Sequence, residues 1–185
     1  MKKKNNFRWV ISVTLSSVAV SSVFTLVSSE TLSGAGYITA FLFLLVFIML
    51  GVVFDMIGVA VTAVSPGPLH SMAARRERGS AEAIALARNA EKVSSVCNDV
   101  VGDISGIISG TMVAVIATRL VERFSFATVL TQLVISAAVT GLTIGGKALG
   151  KTTAINNSTA IIIRAGKLIH LFSAPFRART PKRKK

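Results

Sequence analysis

Apolar residues in this chain gather into blocks about as long as a bilayer is thick, and that feature leaves few folds open. Crossing about 30 Å of hydrocarbon takes about 20 helical residues, because no water is present there to satisfy an open backbone. Four blocks approach that length: Phe7 to Ser29, Gly36 to Val64, Val93 to Ala117 and Phe126 to Gly146. A fifth, Ser158 to Phe172, is shorter and is interrupted by Arg164, Lys167 and His170. It reads as a helix lying in the interface with its basic side chains turned to headgroups. The expected class is an all-α integral membrane protein with about four transmembrane helices, a cytosolic basic helical hairpin and a C-terminal interfacial amphipathic helix. Its first partner is the lipid bilayer.

The opening Lys2, Lys3 and Lys4 before an apolar run also resemble the start of a secretory signal. The run is longer than the usual h-region of about 7 to 15 residues, and no clean A-x-A site follows, so residues 1–35 are expected to be an uncleaved anchor. Cations set the orientation, since Lys and Arg collect in cytoplasmic loops. They precede the first block, recur at Arg75, Arg76, Arg78, Arg88 and Lys92, and fill the 177–185 tail, whereas only Arg119 and Arg123 lie between the third and fourth blocks. Both termini and the middle loop are therefore expected on the cytoplasmic side of a cell membrane. The same distribution accounts for the net charge of +13. It is split among membrane flanks and not interleaved with aromatics, which argues against nucleic acid as a partner and for contact with anionic headgroups.

Residues 66–92 form the middle segment. Pro66 and Pro68 end the second block, because neither can donate to a helix ladder. A short helix from Leu69 to Arg78 is expected to close at Gly79, with Ser80 capping the next helix and Glu82 in its first turn. That second helix runs through AEAIALARNAEK into the third block.

The third block carries Asn98, Asp99 and Asp103 where hydrocarbon should be; Asp55 lies in the second, and Lys147 and Lys151 lie near the end of the fourth. A charge at membrane depth costs roughly 2.5 kcal/mol or more on insertion scales, so it faces a cavity, a partner charge or an ion. At helical spacing Asn98, Gly102 and Ser105 share one stripe, while Asp99, Asp103, Gly106 and Gly110 share another. Gly102, Gly106 and Gly110 repeat the small-xxx-small spacing that lets helices approach, placing the acids at a helix or subunit interface.

Other chemistry is sparse. Cys97 is the single cysteine and reads as a small apolar residue in a helix. His70 and His170 read as interfacial polar residues, since neither has a second histidine or a carboxylate at ligand spacing. GLTIGGKALGK lacks the phosphate-loop spacing and no nucleophile elbow occurs, so enzymatic activity is not expected.

The order of L69-x-x-M72-A73, G79 and ALARNAEKV ending at Val93 resembles the cytosolic hairpin of the transmembrane domain shared by cyclin M (CNNM) and CorC/CorB magnesium transporters. VAVTAVSPGPL from Val59 resembles the end of that family's first span, and Gly146 to Phe176 is placed like the stretch following its third. The resemblance covers Phe41 to Arg177 and makes residues 36–176 a CNNM-like transmembrane domain. It implies a homodimer and a dehydrated divalent cation, Mg²⁺ or a relative, held by first-span hydroxyls, a second-span Asn and the Glu of a Gly-Glu-x-x-Pro-Lys motif. The paired CBS domains of full-length relatives are not expected in this chain, so nucleotide regulation would come from a separate cytosolic or membrane partner.

This chain has Lys147 at the Glu position and Gly150 at the Pro position, while Gly146 and Lys151 keep their matches. The family serines fall around Asp55 and Ile57, and its Asn matches Asn98, or in ungapped register Asp103 or Ser105. Mg²⁺ needs oxygen ligands at about 2.0–2.1 Å, and an ammonium in that shell would repel it. Two readings follow. Asp55, Asn98, Asp99 and Asp103 form a cation site against which Lys147 competes, in a transporter or sensor; or Lys147 pairs with Asp55, Asp99 or Asp103 and closes the site of a non-transporting scaffold or regulatory subunit.

Overall fold

The computed structural model describes residues 2–34, 36–124 and 128–177, and among them every regular element is a helix. In chain order these are α1 (Lys2–Gly34), α2 (Tyr37–Ala63), α3 (Pro66–Ala74), α4 (Ser80–Arg88), α5 (Ala90–Ser95), a π-helical segment (Val96–Gly102), α6 (Asp103–Phe124), α7 (Thr128–Asn156) and α8 (Ser158–Arg177). Four runs are long and apolar enough to cross a membrane: Trp9–Ser28, Tyr37–Ala63, Ala90–Glu122 and Val129–Asn156. The chain is an all-α membrane protein with the span count its apolar blocks foretell.

Helix α2 is the axis of the fold, with the third span and α7 packed along it. Its first half buries Leu44, Phe47 and Ile48 against Ile104, Ile108, Met112 and Ile116 of the third span. α1 is attached more lightly, through an edge-on contact of Phe24 with Phe47 at 5.8 Å. The hydroxyl of Tyr37 donates to the Arg119 carbonyl at 3.1 Å and ties the start of α2 to the far end of α6. The second half of α2 builds a separate core, in which Ala60 and Val61 meet Leu69, Ala83, Ala154, Ile162 and Ile163. That core glues α3, α4 and α8 onto one end of the bundle. Those elements carry charged faces that hydrocarbon would not accept, so apolar burial at this end competes with water and follows the usual area-dependent driving force.

The turn joining α3 to α4 departs from expectation. α3 begins at Pro66, where proline's missing N–H costs nothing in a first turn, so the prolines that end α2 also start the next helix. α3 stops at Ala74, before Gly79. Gly79, at φ 82°, is instead the residue preceding α4. Ser80 is already helical, and its hydroxyl donates back to the Glu77 carbonyl at 2.7 Å instead of capping α4. The cause is a close crossing: the backbone of Gly79 lies against Gly166 and Lys167 of α8, and a Cβ on either glycine would strike the other chain segment. Arg76 joins Gly79 in a left-handed conformation at φ 55°, which completes the turn.

Two further features escape sequence periodicity. The third span is one continuous run from Ala90 to Glu122, but its register is broken by the π segment at Val96–Gly102. The fourth span does not end at Gly146; α7 continues to Asn156, so Lys147 and Lys151 project from a helix. The amphipathic helix expected from Ser158 is α8 and extends to Arg177.

Candidate polar site between α2, the π segment and α7

Glycines set the register of α2 on the third span. A Cβ on Gly51 would sit 3.3 Å from the Ser105 side chain, and one on Gly58 would overlap the Asn98 amide. Asp55 lies between those glycines on the same stripe, which puts it level with Gly102 on the antiparallel neighbour. Asp55 is 5% exposed. It lies past the midpoint of its span, ~7 Å along the axis towards the hairpin end.

The π segment presents Asn98 to this stripe. Its wider turns rotate side chains relative to an α-helix and are frequent at functional positions. Asn98 Nδ2 donates to the Ser94 hydroxyl at 3.3 Å. Its Oδ1 accepts nothing, and neither does Asp55 Oδ2; both are buried. Buried polar atoms in native structures nearly always have a partner, so two unsatisfied oxygens on facing helices single out this position.

α7 supplies the cations. Val52 and Met56 of α2 pack onto Gly146 and Gly150, and this close approach carries the α7 lysines to the polar stripe. Lys151 Nζ stands 3.8 Å from Asp55 Oδ2, with its side chain 53% exposed. That is ion-pair range but beyond a hydrogen bond. Lys147 Nζ hangs over Gly102, 3.8 Å from where a Cβ there would be. Among the described residues no carboxylate oxygen lies within 4.0 Å of it, so the pairing anticipated for Lys147 falls to Lys151, one turn further along the same helix.

The other sequence candidates lie apart from the buried pair. Asp99 and Asp103 are exposed, and Asp99 accepts a 2.8 Å hydrogen bond from the Ser95 hydroxyl. Gly102 is buried beneath Lys147, but Gly106 and Gly110 are exposed and meet nothing within 4 Å of an added Cβ. They open onto a crevice of about 180 Å³ shared with Ser136, Thr140 and Thr143 of α7, so within one chain they are not points of tight helix contact. Cys97 is free and buried.

Chemically, the buried stripe offers one carboxylate, one amide oxygen and the buried Ser105 hydroxyl, all hard donors suited to Mg²⁺ or Ca²⁺ rather than to softer metals. Among the described residues no group of three or more His, Cys, Asp and Glu side chains is close enough to hold a metal, so a bound cation would keep much of its shell as water.

A second polar contact lies at the hairpin, where His170 Nδ1 is 3.0 Å from Glu82 Oε1 and ties α8 to the first turn of α4. The two residues are 88 positions apart, and local ligand spacing gives no sign of the contact. His70 is exposed on α3.

Set against known proteins, the chain matches no family model, no curated protein and no solved structure.

Proposed function

We propose that the chain handles a divalent cation in the manner of the cyclin M and CorC/CorB membrane domains, with Mg²⁺ or a close relative as cargo and no enzymatic role. The observation that carries this reading is the pair of buried oxygens, Asp55 Oδ2 and Asn98 Oδ1, that accept no hydrogen bond. A carboxylate at membrane depth is costly without a partner, and an amide oxygen turned to the same stripe adds a second donor for a hard ion. Lys151 acts as the built-in competitor for Asp55, and Lys147, standing where relatives carry a ligand Glu, adds positive charge at Gly102. The cation enters as the Lys151 ammonium swings outward. The exposure of that side chain supports such a movement, because an exposed lysine gives up little in leaving.

In this reading the hairpin, α8 and both termini face the cytoplasm, as the excess of Lys and Arg at that end supports. Two copies associate in a cell membrane through the exposed Asp99, Asp103, Gly106 and Gly110 face of the third span, which otherwise sets carboxylates against lipid.

A second reading rests on the same lysine. With Lys151 at 3.8 Å, Asp55 has a counter-ion already, and a site held shut would suit a membrane scaffold or regulatory subunit. Calorimetry of the protein in lipid nanodiscs separates the two. Transport predicts Mg²⁺ binding that is lost in Asp55→Asn and strengthened in Lys151→Met. Absence of binding in the parent and in Lys151→Met alike leaves the scaffold reading.

A further inference from the structure

An open cleft of about 740 Å³ lies away from the buried stripe, between the α3–α4 turn and α8. One wall is Glu77 and Arg78; the other is Arg164, Lys167 and His170, with Leu168 and Leu171 beside them. Three fixed cations oppose one carboxylate, so the cleft favours an anion. Arg78, Arg164 and Lys167 are exposed and keep their donors available.

The apolar part of the wall narrows the choice of anion. Leu168 and Leu171 are 57% and 68% exposed, and the apolar surface continues past the cleft through Ile169 and Phe172. A free phosphate would gain nothing from these side chains. A phospholipid carries both chemistries in one molecule: a phosphodiester for the guanidinium and ammonium groups and acyl chains for the leucines. α8 follows directly on a membrane-spanning helix, which holds the cleft near headgroup depth.

We propose that this cleft binds the headgroup of one anionic phospholipid, with Arg78 from the hairpin and Arg164 and Lys167 from α8 closing on its phosphate. The site differs from diffuse attraction of a basic surface because its two walls belong to different elements. They are held at fixed separation by the Gly79–Gly166 crossing and by the Glu82–His170 contact. The inference is independent of the cation reading.

Native mass spectrometry of the full chain, released from micelles containing equal phosphatidylglycerol and phosphatidylcholine, tests it. One phosphatidylglycerol per chain is expected to be retained. The double variant Arg164→Gln/Lys167→Gln should lower retention at least about tenfold, and Arg78→Gln, on the opposite wall, should lower it as well. Arg75→Gln/Arg88→Gln removes the same charge from exposed positions outside the cleft and should leave retention unchanged. Equal loss in both double variants, or equal retention of the two lipids, would overturn the proposal. So would displacement of the lipid by millimolar inorganic phosphate, which would make the free anion the ligand. Unchanged circular dichroism and melting temperature in the variants confirm that a loss of lipid is not a loss of fold.

Discussion

Lys151 Nζ stands 3.8 Å from Asp55 Oδ2, joining a half-exposed cation on α7 to a carboxylate that is almost fully buried on α2. The asymmetry decides how much the pair contributes. Because the separation is beyond hydrogen-bond range and the lysine is held on one side only, the coupling in a double-mutant cycle of Asp55→Asn and Lys151→Met is expected to be under about 1 kcal/mol. Unfolding in detergent by a chemical denaturant measures it. A coupling of several kcal/mol would mean that the pair is a structural lock rather than a displaceable counter-ion.

Gly58 leaves the space that the Asn98 amide fills. Gly58→Ala is expected to expel that amide and destabilise the protein by about 1–3 kcal/mol, the range for overpacking. Asn98→Ala in the same chain should recover most of the loss, since the alanine methyl then enters vacated space. Melting temperatures of the two single variants and the double variant check this. A double variant no more stable than Gly58→Ala would place the strain elsewhere.

At the Gly79–Gly166 crossing there is no side chain to yield. Gly79→Ala meets α8 backbone and must also hold φ 82°, which costs an L-residue about 1–2 kcal/mol by itself. The expected result is faster hydrogen exchange across α3 and α4, with the protection of α6 and of the first half of α2 retained, because the hairpin core holds only the second half of α2 and is separate from the core of the spans.

Gly106 and Gly110 give a test of assembly. With nothing within 4 Å of either position, Gly106→Leu should leave the melting temperature of the isolated chain within a few degrees of the parent. If the exposed face of the third span joins two copies, the same change should abolish cross-linking in lipid. Persistent cross-linking would move the interface to another helix.

The spans, the basic hairpin end and α8 were legible because each rests on local properties: apolar length, proline placement and basic residues set in an apolar run. Asp55 and Asn98 were legible as misfits, since polarity at membrane depth needs no tertiary information to be noticed. Their neighbours were not. Lys147 and Lys151 lie one helical turn apart, and which of them meets Asp55 depends on how Val52 and Met56 seat on Gly146 and Gly150. The Glu82–His170 contact depends on where α8 crosses α4, which no spacing encodes. Helical stripes set Asp99 and Asp103 apart from Asn98, yet polarity at membrane depth alone joined all three with Asp55 in one expected site; the exposure of the two acids and the π segment have no signature in apolar periodicity.

That segment has a further consequence for how the third span can change. A π turn takes in one residue more than an α turn, and each residue of an α-helix advances the face by about 100°. Because the extra residue is taken up within that turn, the stretches before and after it keep the relative phase of a helix one residue shorter, and excising one residue between Val96 and Gly102 would let the span close to a regular helix with both flanks still in phase. Ser105 would keep its place towards α2, while the wide turn that presents Asn98 would be gone. The segment is therefore a stored residue in the span, and a single-codon deletion tests the polar stripe without turning the rest of the helix.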